Sequence, residues 1–133
     1  MISGSLLQIE VPNEFNPFQM AAQKLHDLDE WWVAPPAHLN YFSKASLKCL
    51  CEETGFEFVS VKSSFPMEMF LLMGKQYVGD PSLGNECHNL RKNFEQNLID
   101  LGHLDLMQEL YRKFADMDVG RQITMVVRKK IGA

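Results

Sequence analysis

The sequence predicts an α/β domain built on a short sheet, with a helical insertion ahead of its last strand. Three observations lead there. Residues 5–11 (SLLQIEV), 56–61 (FEFVSV) and 122–128 (QITMVVR) are short, mostly apolar and bounded by turn formers, as strands are. Between them run longer stretches whose apolar residues recur three and four positions apart, the spacing of one helix face. The order is strand, helix, strand, helices, strand, with no linker or repeat, so residues 1–133 read as one domain.

In the first strand Leu7, Ile9 and Val11 alternate with Leu6, Gln8 and Glu10, and Pro12-Asn13 is expected to stop it. A short helix is expected over residues 18–28. The pair Trp31-Trp32 then leads through Val33-Ala34 to Pro35-Pro36, which fixes an extended approach to the next element. Ser43 is a plausible N-cap for a helix over residues 44–54, with Leu47, Leu50 and Cys51 as its apolar stripe and Gly55 just past its end. After the second strand, residues 66–73 (PMEMFLLM) are expected to be helical and residues 74–85, rich in glycine, to be a loop. Residues 85–101 come next as an amphipathic helix with Cys87, Leu90, Phe94, Leu98 and Leu101 on one face. Gly102 interrupts it, and a further helix carries Met107, Leu110, Tyr111 and Phe114. The insertion thus spans about residues 66–118, and Gly120-Arg121 turns into the last strand.

Composition narrows the function classes. Hydrophobic residues make up 46% and charged residues 23%, the balance of a globular chain rather than a disordered one. A net charge of -4 argues against nucleic acid as a partner, because phosphate neutralisation needs clustered Lys and Arg; the short run Arg128-Lys129-Lys130 reads as a solvated tail. No apolar run approaches the ~20 residues that cross a bilayer, so no membrane partner is expected, and the first eight residues lack the basic start of a signal peptide. Three cysteines are too few and too odd for a disulfide scaffold, which makes a reducing cytoplasm the expected compartment. Cys49, Cys51, Cys87 and His88 do not suit zinc: helix positions two apart point about 200° from each other, so Cys49 and Cys51 cannot face one ion. No metal ligand is assigned.

An ordered set of motifs carries a family likeness. Residues 5–13 (SLLQIEVPN), 36–43 (PAHLNYFS), Ser46-Leu47, Gly55-Phe56, 65–68 (FPME), 88–91 (HNLR) and the Gly120-Arg121 to Arg128-Lys129 ending succeed one another along nearly the whole chain. In order and spacing the chain resembles the C-terminal half of a class I S-adenosylmethionine-dependent methyltransferase acting on small molecules. The resemblance implies a partial Rossmann-like sheet of three strands, the last one antiparallel between the other two. It implies S-adenosylmethionine as cofactor of the intact enzyme. The departure from the family is that no G-x-G-x-G turn is present, so no cofactor-binding residue is assigned and no cofactor is expected on this chain alone. The strand at residues 6–11 would then lie at an open edge, covered by a missing N-terminal half or by a homodimer mate.

Methyl transfer requires a positioned acceptor and, for O–H or N–H groups, a base. His38 is the first choice for that base or for acceptor positioning, since a histidine titrates near neutrality; a structural role in its loop is the alternative. Asn13, at the carboxyl end of the first strand, stands where ligands lie in open α/β sheets. Tyr41 and Phe42 line an acceptor pocket or anchor the following helix, and Trp31 and Trp32 form a lid or bury a long connection. His88 and Arg91, three apart on one helix face, bind an anionic acceptor group or stand solvated; His26 and His103 read as surface residues. The expected function is the acceptor-binding part of a small-molecule methyltransferase, inactive alone. The alternative is a non-catalytic binding or dimerisation module descended from one.

Overall fold

Strand β1 (Leu6–Pro12), β2 (Phe56–Ser63) and β3 (Gln122–Lys129) form one sheet in a computed structural model that describes residues 2–132; residues 1 and 133, the ends of the expected domain, lie outside it. The sheet order is β1-β3-β2, and β3 runs antiparallel to both neighbours. Register puts apolar residues in rows across one face: Ile9 and Val61 both oppose Met125, and Leu7 and Phe58 both oppose Val127. Ile123, Met125 and Val127 are fully buried there, each contributing about 1.5–3 kcal/mol by its removal from water. A bulge between Phe58 and Ser60 shifts the register of β2. Among the described residues β1 and β2 each pair only with β3, so both have an outer edge without a strand partner.

Helix α1 (Pro17–His26) starts because Asn16 accepts from the Phe18 and Gln19 amides while the Gln19 side chain accepts from the Asn16 amide, with Pro17 in the first turn. Helix α2 (Lys44–Glu53) is capped by Ser43 in the same reciprocal way with Ser46, and it lays Leu47 and Cys51 on the apolar face of the sheet. The insertion supplies α3 (Glu68–Leu72), α4 (Pro81–Asp100) and α5 (Leu104–Asp116). Met67, Phe70 and Cys87 make a second core with Phe65, Tyr77 and Leu83 around it. α5 packs on β2 from the opposite sheet face, where Gln108 and Arg112 border a cleft with Gln8, Thr124 and Val126.

Four expectations need correction. β1 continues through Pro12, which opposes Gln122, and the Asn13 amide still donates to the Arg121 carbonyl at 3.0 Å; an edge strand tolerates proline because its outer N–H has no partner to lose. α4 begins at Pro81 rather than beyond the glycine-rich loop. Asp80 caps it by accepting from the Leu83 amide at 3.0 Å, and Asp-Pro serves as cap and first helical residue as readily as it serves a turn. The expected apolar face of α4 is mostly open: Cys87 is buried, but Leu90 and Phe94 are exposed and Leu101 is 73% accessible. His26 is not a free surface residue. Its Nε2 lies 2.8 Å from the Leu71 carbonyl, so that nitrogen carries the donated proton and ties α1 to α3. No helix among the described residues is long and apolar enough to cross a membrane.

Candidate functional site

Beyond the carboxyl end of β1 the chain makes the turn Asn13-Glu14-Phe15-Asn16, and the loop before α2 is tied to it. Asn13 and Phe42 form an isolated parallel bridge, and the Glu14 amide donates to the Phe42 carbonyl at 3.2 Å. The His38 loop therefore lies over the same end of the sheet as Asn13. Its shape is held by the Tyr41 hydroxyl, which accepts from the Ala34 amide and donates to the His38 carbonyl, both at 3.0 Å. His38, Asn40, Tyr41 and Phe42 close a cleft of about 160 Å³ with Val11, Pro12 and Glu14. Its histidine is exposed, whereas Phe42 also packs against the sheet core.

Asn13 is buried and both N–H donors of its side-chain amide are used. Its Nδ2 donates to the carbonyls of Asp118 and Gly120 at 3.2 and 3.1 Å, and its own carbonyl accepts from Asn16 Nδ2 at 2.8 Å. These bonds join β1 to the turn that feeds β3. They account for an asparagine at this position without a ligand.

Glu14 is the group that sequence reading passes over. It is 7% accessible, accepts from Gln19 Nε2 at 2.8 Å, and pairs with Arg121 Nη1 at 3.3 Å. Arg121 in turn lines a second cleft of about 240 Å³ with Trp31, Met67, Tyr77, Gly84 and His88. The Glu14–Arg121 pair is thus a partition, one member facing the His38 cleft and the other the His88 cleft. Aromatic rings bridge the same two places. Trp31 and Trp32 stand 4.7 Å apart edge to face, Trp32 meets Phe15 at 5.5 Å, and Phe15 meets Tyr41 at 6.1 Å. Trp32 is buried within that row and its indole N–H has no partner among the described residues; Trp31 is half-buried at the cleft. Phe15 holds a left-handed φ of 58°, uncommon for an aromatic residue, at the centre of the row.

Glu68 lies beneath this region, 1% accessible, with neither carboxylate oxygen hydrogen-bonded. Burial pushes its carboxyl above the usual carboxylate range, reinforced by Glu14 and opposed by its own backbone amide, Arg121 and Gln19. Tyr77 shifts upward too, first through burial and then through Glu68. The only local hint in the sequence is one acid inside the apolar run PMEMFLLM.

The Glu68 shift makes stability depend on pH. A carboxyl whose folded pKa exceeds its unfolded value holds its proton longer in the fold, so its contribution is intact below the unfolded pKa and is lost as pH rises through the folded one. Glu68→Gln is therefore expected to stabilise the protein by about 1–3 kcal/mol at pH 8 and to change little at pH 4. Urea unfolding of both proteins at the two pH values measures this; equal gains at both would mean that ionisation is not the cause.

The remaining residues stand apart from the His38 cleft. Arg91 donates to Glu95 at 2.6 Å along α4, and His88 stands exposed one turn earlier. Cys51 and Cys87 are buried in different cores and Cys49 is exposed. His103 is exposed at the start of α5.

Comparison of the chain with family models, with curated proteins and with solved structures finds no match.

Proposed function

We propose that this chain is the acceptor-binding C-terminal portion of an S-adenosylmethionine-dependent small-molecule methyltransferase. The observation that carries the reading is the sheet order β1-β3-β2, with β3 antiparallel between two strands that share one direction. It is the terminal half-sheet expected from the motif order, and it leaves the outer edge of β1 open for a further strand. The two clefts beyond β1 stand where a small acceptor is held in open α/β sheets.

The chain's own residues do not suit the cofactor. β1 runs into Asn13-Glu14-Phe15-Asn16, β2 into Ser64-Phe65-Pro66 and β3 into Lys130, so among the described residues no strand opens through a glycine-rich turn onto a helix. Gly79 and Gly84 lie before and within α4, which comes after α3 rather than a strand. On this reading the chain contributes acceptor positioning and a proton acceptor, His38 at the mouth of its cleft. S-adenosylmethionine would be held by a segment paired along β1.

Isothermal titration of S-adenosylmethionine into this chain alone is expected to give no binding heat, and saturable binding there would overturn the division of labour. In the intact enzyme, His38→Ala should slow turnover by about 10²–10⁴-fold with cofactor affinity unchanged; full turnover would remove His38 from the proton step. The free β1 edge also favours a second reading, a dimerisation module. In that case sedimentation would show a concentration-dependent dimer that protects the β1 amides from hydrogen exchange.

A further inference from the structure

The His88 cleft has a recognition pattern of its own. Of about 240 Å³, it shares Met67, His88 and Arg121 with an adjoining cleft of equal size that adds Arg91. Two guanidinium groups and an imidazole thus line the two adjoining clefts. Among the described residues no Asp or Glu lines either cleft, although the whole chain carries a net charge of -4. The balancing carboxylates stand outside: Glu14 holds Arg121 from its buried side, and Glu95 holds Arg91 along the helix. A guanidinium has five N–H donors, so each pairing orients the arginine and leaves donors for a ligand. Trp31, Met67 and Tyr77 make the opposite, apolar part of the lining. Gly84 completes it, and a Cβ added there would meet nothing within 4 Å.

We propose that this double cleft binds a small organic anion, its carboxylate or phosphate head on Arg121, Arg91 and His88 and its planar apolar body against Trp31 and Tyr77. Charge-assisted, bidentate contacts to a planar fork select such a head, and the aromatic side selects an unsaturated body. The inference goes beyond the acceptor reading, whose base His38 lines the other cleft, and the site is testable without methyl transfer.

Benzoate and phenyl phosphate are the two anionic probes, with benzyl alcohol as their neutral counterpart, titrated into the chain with no methyl donor present. Indole N–H resonances and binding heat are monitored together. Saturable binding of at least one anion is expected, the tighter one assigning the head group, with the alcohol about tenfold or more weaker. Arg91→Gln and His88→Gln should each weaken the anion. Gly84→Leu should abolish binding while its thermal midpoint holds or rises, because a helical glycine is replaced by a better helix former in open space. No saturable anion binding, equal binding of the alcohol, or undiminished affinity in Gly84→Leu would each overturn the site.

Discussion

Gly120→Ala is expected to destabilise the protein by about 3–4 kcal/mol, enough to leave a domain of this size largely unfolded under mild denaturant. Gly120 holds φ +110°, a conformation that strains any L side chain, so the substitution is unfavourable even in open space. The space is not open. An added Cβ would sit 2.4 Å from Ser63 Cβ and 2.6 Å from the Ser64 carbonyl oxygen, and the second contact is with backbone that cannot rotate away. The close approach exists because the Ser64 amide donates to the Gln122 carbonyl at 3.0 Å, drawing the end of β2 against the start of β3. Urea unfolding of the variant is the measurement; a loss below about 1 kcal/mol would show that this turn relaxes readily.

Asn13→Ala comes next, with an expected loss of about 2–3 kcal/mol. It removes two donors, one from the part-buried Asp118 carbonyl and one from the Gly120 carbonyl, and leaves the latter buried without that partner. The effect should appear in stability before any ligand is added. It also separates two roles for this residue. If Asn13 acts on a ligand, the variant keeps its stability and loses affinity; if it joins β1 to the β3 turn, denaturant midpoints fall whether or not a ligand is present.

These two variants also mark where sequence reading succeeds and where it stops. The strands are legible because alternation of side chains across a sheet leaves a period of two, as in Leu7, Ile9 and Val11. The start of α2 is legible because a cap is a local hydrogen-bond pattern written in adjacent residues, Ser43 and Ser46. Asp80-Pro81 is ambiguous for the same reason: one dipeptide satisfies both a turn and a helix start, and only the rest of the fold decides between them. The α4 stripe misleads because periodicity marks a face that can be buried without saying what lies opposite.

The candidate site divides in the same way. His38, Tyr41, Phe42, Trp31, His88 and Arg91 are visible as unusual residue types in loops or on a helix face, and the fold sets them around three clefts. Trp32 is visible too but lies buried behind them, and Asn13 is consumed by the backbone it supports. Glu14, Arg121 and Glu68 stay hidden because a single charged residue has no pattern until its partner is known. Glu14 and Arg121 are separated by 107 positions and meet only because β1 and β3 are neighbours in the sheet.

Local chemistry along the chain is therefore sufficient for the α/β class, the three strands and the start of α2, since each depends on residues a few positions apart. Which acid faces which arginine, which apolar stripe is covered, and whether a histidine is free or bonded depend on contacts across the chain. The Glu14–Arg121 contact arises because β3 inserts beside β1, the His26 bond because α1 packs on α3, and one-dimensional spacing carries no trace of either.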